Sequence, residues 1–280
     1  MDNSVVERIS PCEKAHAIKS VSFAVELNKP LGADAFLEIS SLHPKLKDRL
    51  PRKIESTAIT VDLDVSRGMR SRTSSPELNG LVFDRLKPDG TPEWKLDVGA
   101  PHVAVFCAKY TRWADVWASA REIFAVVLPI ILKFRYIKAV GLQYIDEFTW
   151  AGDRAEFRSG YLFREGTEYL PNNVFALNGL WHNHHGFFSN PTGSPQHRLL
   201  TNLNVSVSDR EDARVISISA VHRALLDDLM TDVDHPLGEG GNEGPIDALL
   251  DEMHRLNKSA LCGLLVYPIL RRINLKCGAA

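Results

Sequence analysis

Residues 102–150 read HVAVFCAKYTRWADVWASAREIFAVVLPIILKFRYIKAVGLQYIDEFTW, and the parsing of this stretch decides the fold. It opens with an apolar run at 102–108 whose β-branched and aromatic residues predict a strand. Thr111 is placed to cap a helix, with Asp115 in its first turn. Trp113, Val116, Trp117, Ala120, Phe124, Val127, Ile131 and Phe134 then recur at helical spacing and define one apolar face. Arg112, Asp115, Ser119 and Glu122 fall off that face. Pro129 sits inside the apolar period and predicts a kink or a break. Residues 137–150 have no helical period and read as a long strand.

Working outward, residues 1–15 read as a flexible arm. Residues 18–27 alternate as a strand, 30–42 carry a short helical stripe, and 43–53 form a basic, proline-bounded connection. Residues 57–65 alternate most cleanly, with Ile59, Val61, Leu63 and Val65 opposite Thr60, Asp62 and Asp64. Residues 67–79 read as a polar turn region. Strands at 80–86 and 94–98 flank Lys87-Pro88-Asp89-Gly90, a hairpin signal. Past residue 150, the segment 160–179 is ambiguous, and strands are expected at 180–189, 198–208 and 215–223. Residues 224–243, acidic and then glycine-rich, read as loop. Pro245 opens a final helix over 246–273.

The order of elements echoes itself. Ile18-Lys19-Ser20-Val21 resembles Ile137-Lys138-Ala139-Val140, and Pro129 late in one helix has a counterpart in Pro268 late in the other. The expected fold is therefore α+β, with two tandem halves, 16–135 and 136–280, each an antiparallel sheet packed on a long C-terminal helix. The two halves could also share one continuous sheet. This layout resembles the tandem saddle and helix-grip arrangements, and fold alone does not choose a function for it.

Composition excludes several classes. Of 280 residues, 44% are hydrophobic and 24% charged, with a net charge of −2, so no whole-molecule field calls for nucleic acid or an anionic membrane. The longest apolar run, 123–132, is about half of a membrane span. Cys12, Cys107, Cys262 and Cys277 form no close pair in sequence. They read as reduced thiols of a cytoplasmic protein, with Cys107 and Cys262 in the core.

Two polar regions carry the candidate binding residues. In Trp181-His182-Asn183-His184-His185, His182 and His184 share a strand face and could hold a divalent metal, with His197 or His222 as further ligands; the competing reading is an edge strand with incidental histidines. Arg49, Arg52, Lys53, Arg70 and Arg72 make the first third locally basic, a pattern that could meet a nucleic-acid backbone. Neighbouring acids dilute it, and no aromatic residue is interleaved to stack bases. Asp62 and Asp64 read as a solvated strand face. Asp146 and Glu147 point to opposite faces, and one of them is expected to pair with Arg135 or Arg164. The glycine-rich 238–244 loop lacks the Lys-Ser/Thr of a phosphate-binding loop. No catalytic nucleophile motif and no cofactor motif is present.

Val140-Gly141-Leu142-Gln143-Tyr144-Ile145-Asp146-Glu147-Phe148, following an aromatic helix, resembles a strand of a sporadically distributed family of uncharacterised bacterial proteins. There the corresponding strand runs roughly Val-Gly-Leu-Arg-Tyr-Ile-Asn, so Gln143 and Asp146 depart from it. The resemblance brings no catalytic residues, and its scattered distribution implies mobile or defence-related genes. The expected function is a non-enzymatic binding protein that holds a protein partner, with a defence or toxin–antitoxin-like system as the setting the resemblance implies. The alternatives are a metal-assisted hydrolase or nuclease built on His182 and His184, and a carrier of a small apolar ligand between sheet and helix.

Overall fold

The computed structural model describes residues 3–13, 15–58, 61–64, 70–73, 76–211, 213–240 and 242–278. The chain before the first long helix contains α1 (Asn3–Glu7), β1 (Ile9–Pro11), β2 (Ile18–Leu27), α2 (Ala33–Ser40), α3 (His43–Leu46), β3 (Arg52–Ala58), β4 (Val61–Asp64), β5 (Arg70–Thr73), β6 (Glu77–Leu86), β7 (Pro92–Gly99) and β8 (His102–Cys107). Then follow α4 (Trp113–Phe134), β9 (Ile137–Trp150), β10 (Trp181–Ser189), β11 (His197–Arg210), β12 (Ala213–Met230), α5 (Pro245–Leu264) and α6 (Tyr267–Arg272).

These elements make an α+β structure dominated by one antiparallel sheet. Its strands follow the order β10-β11-β12-β9-β2-β8-β7-β6-β3, with β1 added against the end of β9 and β4-β5 forming a separate pair. The 14-residue strand β9 sits centrally because it pairs along its length on both sides, with β2 and with β12. Its alternation sets the register of the interior: Leu142 lies opposite Phe23 and His222, Tyr144 opposite Val21 and Ala220, and Asp146 opposite Ile18 and Ile218. A one-residue slip would turn every one of these to the other face, so the apolar pattern fixes the pairing.

The core lies on one side of this sheet. One cluster joins Phe23, Val25, Val105, Leu142 and Tyr144 to Phe36 of α2, Phe124 and Ile131 of α4, and Leu250 of α5. A second joins Phe148, Trp150, Val205 and Ile216 to Leu261 of α5, Ile269 of α6 and the 157–174 connection. Burying a side chain such as Phe124 in this way contributes roughly 1.5–3 kcal/mol relative to leaving it in water.

Several boundaries differ from the sequence expectation. The flexible arm expected over residues 1–15 is partly built in: Ile9 is fully buried and pairs with Trp150, so its apolar side chain anchors the segment. Helix α4 runs unbroken through Pro129, whose side faces solvent with Ala125, so water can satisfy the carbonyl that the proline leaves free. Its N-cap position is Arg112, with no side-chain cap, in place of Thr111. The expected strand 57–65 divides between β3 and β4; Ile59 and Val65 lie outside the described residues. The polar 67–79 region contains β5 and the start of β6. β12 continues to Met230, into the expected loop, because Ala224 and Met230 carry the inward apolar row further. The final helix breaks at Leu265, which turns extended and bridges to Phe163, and Pro268 then sits in the first turn of α6, where its missing N–H costs nothing.

Candidate functional site

The sheet face turned away from the helices contributes no buried member to either core cluster. Its central rows are short and polar: Ser22 and Ala24 on β2, Gly141 and Gln143 on β9, Ser217 and Ser219 on β12, and Asn202, Asn204 and Ser206 on β11, most of them half-exposed. Gln143 Nε2 donates to Ser219 Oγ at 3.1 Å, which ties two strands together on this surface. Small side chains leave the backbone ladder close to solvent, and the hydroxyl and amide groups offer both donors and acceptors.

At one end this face dips into a depression of about 390 Å³ floored by Phe106, Ile145 and Ser217. Its rim is charged: Glu147 Oε2 accepts from Lys19 Nζ at 2.9 Å and from Arg210 Nη1 at 2.7 Å. Burial pushes the Glu147 carboxyl up, but the hydrogen bonds from Lys19 and Arg210 outweigh it and hold the group below its ordinary value. A second group sits farther along, where Glu26 pairs with Arg223 and lies 3.9 Å from Lys138. The ion-pair partners expected for the Asp146-Glu147 step, Arg135 and Arg164, are elsewhere. Arg135 donates to the carbonyls of Pro30 and Phe134.

The inner face carries a polar seam that the sequence reading did not assemble. Helix α5 presents Asp247, Asp251, His254 and Asn257 to the sheet and to α4. Asp247 Oδ1 accepts from Trp117 Nε1 at 2.8 Å and Arg121 Nε at 3.0 Å, while its Oδ2 accepts the Gly244 N–H at 2.8 Å. Asp251 accepts from Trp113 Nε1 at 2.6 Å. The Trp113 ring stacks on His254 at 4.3 Å, and His254 Nδ1 lies 2.8 Å from the Tyr144 hydroxyl. Burial, and after it Lys258, lowers His254 to about 4, so its ring is neutral near pH 7. His222 links Asn257 Oδ1 at 3.3 Å and Thr201 Oγ1 at 3.1 Å. With Nε2 donating to the amide oxygen, Nδ1 is left to accept the threonine hydroxyl, and burial lowers the pKa of this ring as well.

Asp146 is the exception in this seam. It is 1% exposed, lies between the two core clusters, and its Oδ2 has no hydrogen-bond partner. Burial raises it to about 7. A carboxyl in that range can exchange a proton near neutral pH, but Asp146 itself is sealed from solvent.

The sequence-nominated residues separate in space. His182 and His184 stand exposed on the outer face of edge strand β10, beside Phe188, which is 60% exposed. His197 and His222 are buried on the inner face, so the sheet lies between the two pairs and they cannot share one ion. His197 Nδ1 faces the Pro195 carbonyl at 2.7 Å; its Nε2 comes within 3.3 Å of Glu252 without the alignment of a hydrogen bond. Among the described residues no group of three or more His, Cys, Asp or Glu side chains is placed to hold a metal ion.

Of the basic set, Arg49 pairs with Glu122, Arg52 grips the buried Asp84 at 2.7 and 2.5 Å, and Lys53 lies 2.9 Å from Glu55. Their charges are matched within the fold. Arg70 and Arg72 lie on β5, in register with Asp64 and Asp62, and their side chains lie outside the description. Cys262, expected as a core thiol, is bonded to Cys277, while Cys12 and Cys107 are free. The residues are brought together by the break after α5, which no sequence spacing announces. No helix among the described residues is long and apolar enough to cross a membrane.

No family model matches the chain, and no curated protein or solved structure matches it significantly.

Proposed function

We propose that the protein is a non-enzymatic binding protein that holds a protein partner on the helix-free face of its sheet. The observation that carries this reading is that face itself: a wide surface of Ser, Asn, Gln and Gly positions with an apolar-floored depression beside Lys19, Glu147 and Arg210. A partner segment fits by placing an apolar side chain over Phe106 and Ile145 and hydrogen-bonding to the polar rows. Charges on this face are largely paired with one another, which favours a protein over a nucleic-acid backbone.

The same proposal takes the chain as two tandem halves, 16–135 and 136–280, after an arm at 1–15. What supports it is the strand order, in which the main-path strands on one side of the β2-β9 boundary come from one half and those on the other side from the other. A role in a bacterial defence or toxin–antitoxin-like system, in the cytoplasm, belongs to the proposal through the family resemblance. The Cys262–Cys277 bond pulls against a fully reducing setting.

The test is partner capture by the full chain and by Ile145→Arg and Ser217→Arg variants. Loss of one specific partner in both variants, with melting temperatures unchanged, is the expected result. Retention of that partner by both variants would remove the face from the proposal.

A further inference from the structure

A second concave surface lies on the helix side, unrelated to the face proposed for the partner. Arg164, Arg255, Lys258 and Lys276 line a cleft of about 640 Å³, and Glu168 is the only carboxylate among its lining residues. Some cations elsewhere are matched, such as Arg52 by Asp84, Arg214 by Asp209, Lys133 by Glu38, and Lys19 and Arg210 by Glu147, while others, including Lys29 and Lys45, stand singly among the described residues. None of the four cleft cations has such an ion pair among the described residues.

Three separate segments are fastened together to make this convergence. The Arg164 N–H donates to the Leu264 carbonyl at 2.8 Å and the Val266 N–H to the Leu162 carbonyl at 3.0 Å, which lays the 162–169 loop along the end of α5. Tyr169 packs directly on Gly263, where a Cβ would come within 2.8 Å of its ring. The Cys262–Cys277 disulfide pins the last segment, and with it Lys276, to the same helix. Of the terminal carbonyls of α5, those of Leu261 and Leu264 are taken by the backbone amides of Leu265 and Arg164. Four exposed cations against one carboxylate give the cleft a positive potential that favours an anion, most strongly at low ionic strength.

We propose that this cleft binds a small polyanion carrying two linked phosphates, as free pyrophosphate or as the diphosphate of a nucleotide. Arg164 and Arg255 offer forked donors to phosphate oxygens, Lys258 and Lys276 supply point charges, and Ser259 on α5 adds a hydroxyl. The disulfide is part of the site because it fixes the position of Lys276.

The experiment is calorimetric titration of the oxidised full chain with pyrophosphate at low ionic strength, with ADP and a short single-stranded oligonucleotide as parallel arms. Saturable binding at one site is expected. It should weaken at least tenfold in Arg255→Gln/Lys258→Gln and in Arg164→Gln, weaken detectably in Cys277→Ser, and stay unchanged in Lys29→Gln/Lys45→Gln, which removes exposed cations elsewhere. Tighter binding of ADP than of pyrophosphate would assign the site to a nucleotide, and the reverse to the free anion. Absence of binding, an equal loss in the control variant, or oligonucleotide binding that pyrophosphate does not displace would each overturn the proposal.

Discussion

The Tyr144 hydroxyl lies 2.8 Å from His254 Nδ1, joining the central strand to the last long helix across 110 residues of sequence. His254 is held from its other side by the stacked Trp113 ring of α4, so the one imidazole connects β9, α4 and α5. Removing the hydroxyl leaves a shielded ring nitrogen without its partner. Tyr144→Phe should therefore cost about 1–3 kcal/mol in urea unfolding, most of it as unpaid desolvation of His254. Unchanged stability would mean that solvent already reaches that nitrogen.

Protonation of His254 opposes folding. Its folded pKa, about 4, lies below the ordinary value of 6.5, so the unfolded chain binds the extra proton first. Its contribution is fully present above pH 6.5 and is lost as pH falls toward 4. Asp146 has the opposite sign. With a folded value of about 7 against 3.8, its neutral form is favoured in the fold, and stability declines as pH rises through that interval. Asp146→Asn should remove this decline. The variant is expected to gain on the order of 2 kcal/mol over the wild type at pH 8 and to lose that advantage near pH 4, as read by denaturant titration at both pH values.

Neighbouring positions on β12 should respond in opposite ways. Ile218 is fully buried on the inner face, whereas Ser219 faces outward and bonds to Gln143. Ile218→Arg forces a charge into the core and should cost more than about 3 kcal/mol, enough to unfold the protein or strip it of cooperative melting. Ser219→Arg should stay within about 1 kcal/mol of the wild type. Equal damage from both would mean that the outer face is covered.

The disulfide makes a chemical prediction. Non-reducing peptide mapping of air-oxidised protein should recover Cys262 linked to Cys277, and alkylation under denaturing conditions should label Cys12 and Cys107. Cys277→Ser should lower stability by up to about 3 kcal/mol, the scale for closing a loop of this size.

Much of the scaffold was legible in the residues. The apolar face of α4 and the alternation of β9 each follow from a local period, 3.6 or 2, and such periods survive folding unchanged. The opposite orientation of Asp146 and Glu147 was readable for the same reason. Contacts between distant segments were not. Nothing near Asp146 in sequence shows that Tyr144 and Phe148 fall into different core clusters with the carboxyl between them. The spacing of Asp247, Asp251 and His254 places all three on one helix face, which was a usable signal for the inner seam, although their partners Trp117, Trp113 and Tyr144 were not readable from it. Arg52 looked available for a ligand because Asp84, its partner, is 32 residues away. His182 and His197 looked like neighbours until the sheet came between them.

A protein partner seated on the helix-free sheet face would lie within reach of Ser219. The most direct measurement is site-specific photo-crosslinking in the native host, with the reactive group placed at Ser219 on that face and, separately, at Ala118 on the exposed side of α4. One discrete adduct is expected from Ser219, lost on adding Ile145→Arg, and none from Ala118. The same adduct from both positions, or an adduct from Ala118 alone, would contradict it.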